Sequence, residues 1–259
     1  VPELPIKITL ITPTGHRPES WELCKKYIRR QSIWREGYDI QWLAVIDEEN
    51  PLDEDPDFKI IQSPELWVPG KNTQKINLKT ALPHIEGDYI FVIEDDDWYH
   101  PMHIEVLLSF LQQGYWLVGE GNAKYYHVGT RQFRELNNCH FATMPQTAFR
   151  KDALSLFEEA LDVPRTIDAA FWSRAKLEGV STFIFVDTGL VCGMKGLPGR
   201  PGIGLGHRPH RKDWRTDTNF SILKSWVGED DFETYLEIHR KLNSHKRFFN
   251  QKPLLPEGP

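Results

Sequence analysis

The 259-residue sequence predicts an α/β fold: a mixed, mostly parallel sheet flanked by helices in a single compact domain. Three observations predict it. Short β-branched runs alternate with segments of helical periodicity through the first half. One run, Tyr89-Ile90-Phe91-Val92-Ile93, is apolar without alternation, the pattern of a strand buried on both faces of a parallel sheet. No stretch of flexible composition separates the two halves.

In chain order, Ile6 to Thr12 is the first strand, stopped by Pro13 and Gly15. Pro18 to Gln31 is a helix with Trp21, Cys24, Tyr27 and Ile28 on one face. Asp39 to Asp47 and Phe58 to Gln62 are strands. Asn72 to Leu82 is a helix closed by Pro83. The buried strand follows, then a helix over Met102 to Gln113. Tyr115 to Val118 and Ala123 to Arg134 predict strands, the second broken by a turn at Gly129-Thr130. Lys151 to Leu161 and Ile167 to Glu178 predict helices, and Thr182 to Val186 and Leu190 to Cys192 strands. Gly193 to Pro209 has no regular periodicity, Asp230 to His245 is a polar helix, and 251–259 is a loose tail.

Composition excludes several classes. Nine Trp, eight Tyr and fourteen Phe need burial, so the chain is not intrinsically disordered. The net charge of −6 disfavours nonspecific attraction to nucleic acid. Cys24, Cys139 and Cys192 form no CxxC pair, which excludes a zinc ribbon or dithiol site and fits a reducing compartment. No apolar run reaches the ~18 residues of a membrane span. Val1-Pro2-Glu3-Leu4-Pro5 has neither the basic nor the apolar region of a signal peptide, so the expected localisation is cytoplasmic.

The sharpest feature is Glu94-Asp95-Asp96-Asp97, four carboxylates directly after the buried strand. Ligands of open α/β sheets bind outside the carboxyl ends of strands. Adjacent carboxylates repel where solvation is partly lost, and a divalent cation relieves that repulsion. Hard oxygen donors suit Mg²⁺ or Mn²⁺. A solvated acidic turn favouring the next helix N-terminus is the plainer alternative, and the position after a buried strand argues for the metal.

The block from Glu86 to Pro101 resembles the D-x-D region of metal-dependent glycosyltransferases of the GT-A fold, especially family 2, with Glu94-Asp95-Asp96 at the motif positions. Glu94 stands where the family has Asp. The resemblance extends over roughly residues 6 to 210 and implies a GT-A-like, Rossmann-like architecture: one domain over 1–250, its nucleotide-binding part about 6–100 and its acceptor-side part about 101–250. It implies Asp96 as direct metal ligand beside Glu94, and Asp95 in donor binding. Thr12 to Pro18 is similar to the family's opening nucleotide loop, which implies donor contacts from Pro13, Thr14 and Arg17. Asp47 falls where the family places a carboxylate on the base, and Lys75 and Asn77 where a basic residue and an Asn approach the donor. Ile167 to Arg174 is similar to the E-D-x-D-x-W-x-R block, which implies Asp168 as catalytic base; Ile167 replaces the preceding Glu.

Glycine recurs every third residue from Gly193 to Gly202, too briefly for collagen. Glycine lets backbone approach a ligand closely, and the cations here suit a diphosphate, with Lys195 and Arg200 as candidates. The resemblance implies a loop that closes over the donor, with His207 or His210 completing the metal shell.

The implied activity is metal-dependent, inverting transfer of a sugar from a nucleotide-diphosphate donor, with UDP-sugar the expected class, to a hydroxyl acceptor. A saccharide, a glycoconjugate and a hydroxymethylated DNA base all stay open as acceptors. Two alternatives compete: a non-catalytic sugar-nucleotide-binding protein on the same scaffold, which keeping both Asp96 and Asp168 disfavours, and a nucleotidyltransferase. The latter needs a longer Gly-rich, basic signature than Thr14-Gly15-His16-Arg17.

Overall fold

The computed structural model describes residues 5–249 except 36, 50–51, 165, 187–188, 203, 205–206, 208 and 210–212, with the side chains of 245–249 also left aside. Tyr89–Val92 forms strand β4, at the middle of a seven-stranded sheet. Its neighbours are β1 (Lys7–Thr14), parallel to it, and β9 (Thr147–Arg150), antiparallel. Beyond β1 lie β2 (Asp39–Ile46) and β3 (Lys59–Gln62), both parallel. Beyond β9 lie β6 (Leu117–Glu120) and β10 (Thr182–Phe185), parallel to each other. Only β9 runs against the rest, so the sheet is mixed and mostly parallel, as the sequence predicts.

The unbroken apolar run has a simple cause. Phe91 and Ile93 point into one hydrophobic cluster, Ile90 and Val92 into another on the opposite face. Helices α1 (Pro18–Arg29) and α3 (His103–Leu111) cover the first face with Trp21, Cys24, Tyr27, Ile104 and Leu107. Helices α2 (Gln74–Ala81), α4 (Leu154–Asp162) and α5 (Ile167–Leu177) cover the second with Leu78, Phe157 and Phe171. Burying one such side chain contributes roughly 1.5–3 kcal/mol, so a polar residue on either face of β4 would be strongly destabilising.

A second, five-stranded sheet was not foreseen. It comprises β5 (Asp97–Tyr99), β7 (Asn122–His127), β8 (Gln132–Asn137), β11 (Val191–Lys195) and β12 (Arg215–Thr216). β5 pairs antiparallel with β11, with Asp97 opposite Gly193. Glu94 to Asp96 is therefore the turn between the two sheets. The aperiodic segment expected from Gly193 also needs correction. β11 continues to Lys195, which is a buried strand residue rather than a loop residue. Helix α6 (Ser221–Val227) is a further addition, and α7 (Glu229–Phe249) is longer than its polar pattern suggests. No helix among the described residues is long and apolar enough to cross a membrane.

Candidate active site

The acidic turn is closed by a tyrosine from the strand it leads into. The Glu94 N–H donates to the Tyr99 hydroxyl at 2.7 Å, which donates back to the Glu94 carbonyl at 3.2 Å. Tyr99 is fully buried, so this staple fixes the turn from beneath. One carboxylate oxygen each from Glu94, Asp96 and Asp97 then lies within 4.8 Å of the others.

Two cations are built into the cluster. Lys195 Nζ donates to Asp97 Oδ1 at 2.7 Å and to Asp96 Oδ1 at 3.3 Å. Arg17 donates to Asp95 Oδ1 at 2.9 Å and lies 3.3 Å from Asp96 Oδ2. Thr14 Oγ1 donates to Asp95 Oδ2 at 2.9 Å, and Gln74 Nε2 to Glu94 Oε1 at 2.8 Å. Burial raises the pKa of Asp97 well above the carboxylate range, Lys195 only partly opposing it. Burial also pushes Glu94 up to about 7, with Asp96 adding repulsion against the pull of Lys195. Asp96 is buried too, yet Lys195 and Arg17 hold it well below the usual carboxylate range. It is the acid of the cluster that stays charged.

His207 brings Nε2 to 3.5 Å from Asp96 Oδ2. Burial, reinforced by Lys195, lowers its pKa to about 3, so its ring is neutral and keeps a lone pair for a ligand. Gly202 permits this approach, since a Cβ there would collide with the imidazole. Three clustered carboxylates with a neutral imidazole beside Asp96 suit a divalent cation. Glu94, Asp96, Asp97 and His207 are the residues that would hold it. Asp97, expected only as the acid trailing the motif, joins the set; His210 lies outside the described residues.

A second constellation surrounds Asp47, which is fully buried just beyond β2. Arg200 Nη1 donates to its Oδ1 at 2.8 Å and its Oδ2 at 2.7 Å. The Thr73 hydroxyl donates to the same carboxylate, and Asn77 Nδ2 to Oδ2 at 3.1 Å. Gly15 accommodates the cluster: its φ is +148°, and a Cβ would strike Asp47 Oδ1. Arg200 also lies over the Trp67 ring at 5.2 Å, and His16 packs on Trp67 at 5.2 Å. The Arg200 backbone is tied down as well, its N–H to His16 O at 3.0 Å and its carbonyl to Arg17 Nε at 2.9 Å. Arg200, expected beside a diphosphate, is paired with Asp47 here and also lines the cavity described next.

Thr14, Gly15, Arg17, Gln74, Asn77, the four acids, Lys195, Arg200 and His207 line one cavity of about 770 Å³, which also includes Pro13, Lys75, Tyr125, Arg134, Gln146 and Asp168; Asp47 and Thr73 are buried behind Arg200 and do not line it. Asp168 is half-buried in the first turn of α5 and accepts the Ala169 N–H at 2.8 Å. Burial raises its pKa above the ordinary aspartate value. Lys75 borders the cavity, but its ammonium donates to the Val163 carbonyl, toward the end of α4. Gln74, Thr73 and Trp67 escaped the sequence reading. Polar or aromatic residues on a short helix and a loop carry no periodic signal, and only the fold brings them to Glu94 and Asp47.

A central sheet ending in a carboxylate turn against a second small sheet, with one cavity across both, defines the GT-A class. The chain is similar to the proteins of glycosyl transferase family 2: residues 44–166 match the sequence model of that family. Among solved structures it is similar to TarS 1–349 of S. aureus, at 12% identity, TM-score 0.51, covering 73% of this chain and 60% of that one. TarS 1–349 in complex with UDP gives 13%, 0.52, 73% and 60%. The mannosyltransferase PcManGT of Pyrobaculum calidifontis, in complex with GDP-Man and Mn²⁺, gives 15%, 0.52, 76% and 59%. The chain thus spans about three-fifths of the length of these structures. No curated protein sequence matches it.

Proposed function

We propose that this chain transfers a sugar from a nucleoside-diphosphate donor to an acceptor hydroxyl, with inversion at the anomeric carbon. The observation that carries the reading is a single cavity with the Glu94, Asp96 and Asp97 carboxylates on one wall and Asp168 on another. Residues from about 6 to 100 supply most of the donor half, joined by Lys195, Arg200 and His207, and the acceptor side comes from the rest of about 101–250. The donor class is a UDP- or GDP-sugar, since structures of the same fold hold UDP or GDP-Man with Mn²⁺.

When bound, Mg²⁺ or Mn²⁺ supplies Lewis-acid stabilisation of negative charge on the departing diphosphate. Glu94, Asp96, Asp97 and His207 would hold it. Arg17 and Lys195 supply positive charge at the same end of the cavity. The base of the nucleotide lies toward the end of the cavity lined by Gly15, Asn77 and Arg200, which Asp47 and Trp67 hold in place from behind. Asp168 Oδ accepts the proton of the acceptor hydroxyl as its oxygen attacks the anomeric carbon. The new carbon–oxygen bond forms opposite the breaking bond to the diphosphate, which gives inversion without a covalent enzyme intermediate. The free cysteines fit a cytoplasmic setting.

The test is donor turnover. UDP- and GDP-sugars with Mn²⁺ and a panel of saccharide, glycoconjugate and hydroxymethylated-DNA acceptors should give nucleotide release that Asp96→Asn abolishes. Nucleotide release equal in wild type and Asp96→Asn across the whole panel would overturn the reading.

A further inference from the structure

Lys195 stands where the donor set for a metal is assembled. Its side chain is 5% exposed, and its ammonium hydrogen-bonds the two acids best placed to ligate a cation, Asp96 and Asp97. An ammonium has three donors, and two are spent on these carboxylates. While it sits there, a divalent ion meets both a competitor for the same two carboxylates and a like charge beside them. Moving Lys195 off Asp96 and Asp97 exposes the donor set. Holding its charge nearby without a new partner would be costly in a buried site.

The cavity provides both the room and the partner. A Cβ at Gly193 would lie 2.7 Å from Tyr125 Cδ1 and 3.1 Å from Lys195 Cε. The bare glycine is therefore what lets the Lys195 stem lie against the backbone, and the room for it to turn is the cavity of about 770 Å³ that Lys195 itself lines. A diphosphate entering past Thr14 and Arg17 carries the anionic oxygens that would take up the released ammonium.

We propose that Lys195 is an exchangeable internal counter-ion that couples metal binding to nucleotide binding, resting on Asp96 and Asp97 in the free protein and moving to the diphosphate when both ligands bind. The proposal rests on the reading of the cluster as a divalent-metal site. Coupling of this kind is reciprocal: the diphosphate must strengthen metal binding by the factor by which metal strengthens diphosphate binding.

The experiment is titration of Mn²⁺, followed by its paramagnetic resonance signal, into the full chain alone and with saturating UDP or GDP. In wild type, the nucleotide should tighten Mn²⁺ binding tenfold or more. Lys195→Met should bind Mn²⁺ alone at least tenfold more tightly than wild type, and nucleotide should add little. Lys195→Gln keeps hydrogen-bond donors without the charge and carries the same test if the Met variant does not fold. Mn²⁺ affinity and nucleotide gain unchanged in the neutral variants would overturn the coupling while leaving the metal site intact. Absence of Mn²⁺ binding to wild type and variant, with and without nucleotide, would overturn the metal reading and the coupling with it.

Discussion

Arg200 is clamped across the buried carboxylate of Asp47, one guanidinium nitrogen reaching both oxygens at 2.8 and 2.7 Å. The pair lies 153 positions apart in sequence, and it ties the segment after β11 to the end of β2. Asp47 has no exposed surface, and Thr73 and Asn77 take further positions on it. Removing one partner of a buried pair leaves an uncompensated charge, which costs about 3–5 kcal/mol. Because the Arg200 side chain is 14% exposed, the lower end applies. Arg200→Ala should lower unfolding free energy by about 3 kcal/mol in urea denaturation and weaken UDP or GDP binding by calorimetry. Arg200→Lys should recover part of the stability but not the nucleotide affinity, because an ammonium lacks the planar fork. Nucleotide affinity unchanged in both variants would place the base elsewhere.

Tyr99 offers a second test, away from any ligand. Its hydroxyl serves both the N–H and the carbonyl of Glu94. Tyr99→Phe leaves a backbone N–H without its partner, at a cost of about 1–3 kcal/mol. It should also loosen the turn carrying the three carboxylates. Expected are a lower melting temperature and weaker Mn²⁺-dependent nucleotide binding. A melting temperature and affinity equal to wild type would show that the staple does not hold the turn.

Asp168 should separate from the cluster in its phenotype. Asp168→Asn keeps the shape but cannot take a proton, so transfer should fall about 10²–10⁴-fold while nucleotide binding is retained. The pH profile adds a sign. A base works when ionised, and burial raises the pKa of this one. The acid limb of kcat/KM in wild type should therefore rise with pH through a value above that of an ordinary aspartate. Near wild-type transfer by Asp168→Asn would remove it from the base role.

How much of this was legible from residues alone differs by element. Tyr89 to Ile93 announced the central strand because both faces of β4 are buried, and the acids directly after it announced the site. Asp168 and Arg17 were named by resemblance, and both line the cavity. Lys195 was read as a loop cation because Gly193 and Gly196 look like loop composition. Pairing with β5 and β7 makes it a strand residue, and β5 itself, three residues opening on an Asp, is too short to signal. The glycine-rich loop and its charge suggest a diphosphate for Arg200, and only the fold shows its pairing with a buried carboxylate. Charge identifies that a residue pairs with something. Only the topology, which carries the segment after β11 back over Gly15 and Asp47, identifies with what.

The last prediction concerns His103, buried in the first turn of α3 with neither ring nitrogen hydrogen-bonded. It packs against Tyr99 at 5.2 Å between ring centroids. Burial, with His100 adding repulsion, lowers its pKa to about 3. In the unfolded chain a histidine takes up its proton near 6.5. Between these values the unfolded state binds one proton more than the folded state, so stability rises with pH and is lost as pH falls below 6.5. The slope approaches about 1.4 kcal/mol per pH unit below 6.5, and the loss from pH 7.5 to 4.5 comes to roughly 2.6 kcal/mol. His103→Phe replaces the ring with one that does not titrate and needs no partner. Its unfolding free energy should exceed that of wild type at pH 4.5 by more than at pH 7.5, the difference between the two proteins growing by about 2.6 kcal/mol. Urea denaturation of both proteins at the two pH values measures that difference, in which carboxylates common to both cancel. A difference that stays constant with pH would mean that His103 protonates in the folded protein, and its packing against Tyr99 would need another account.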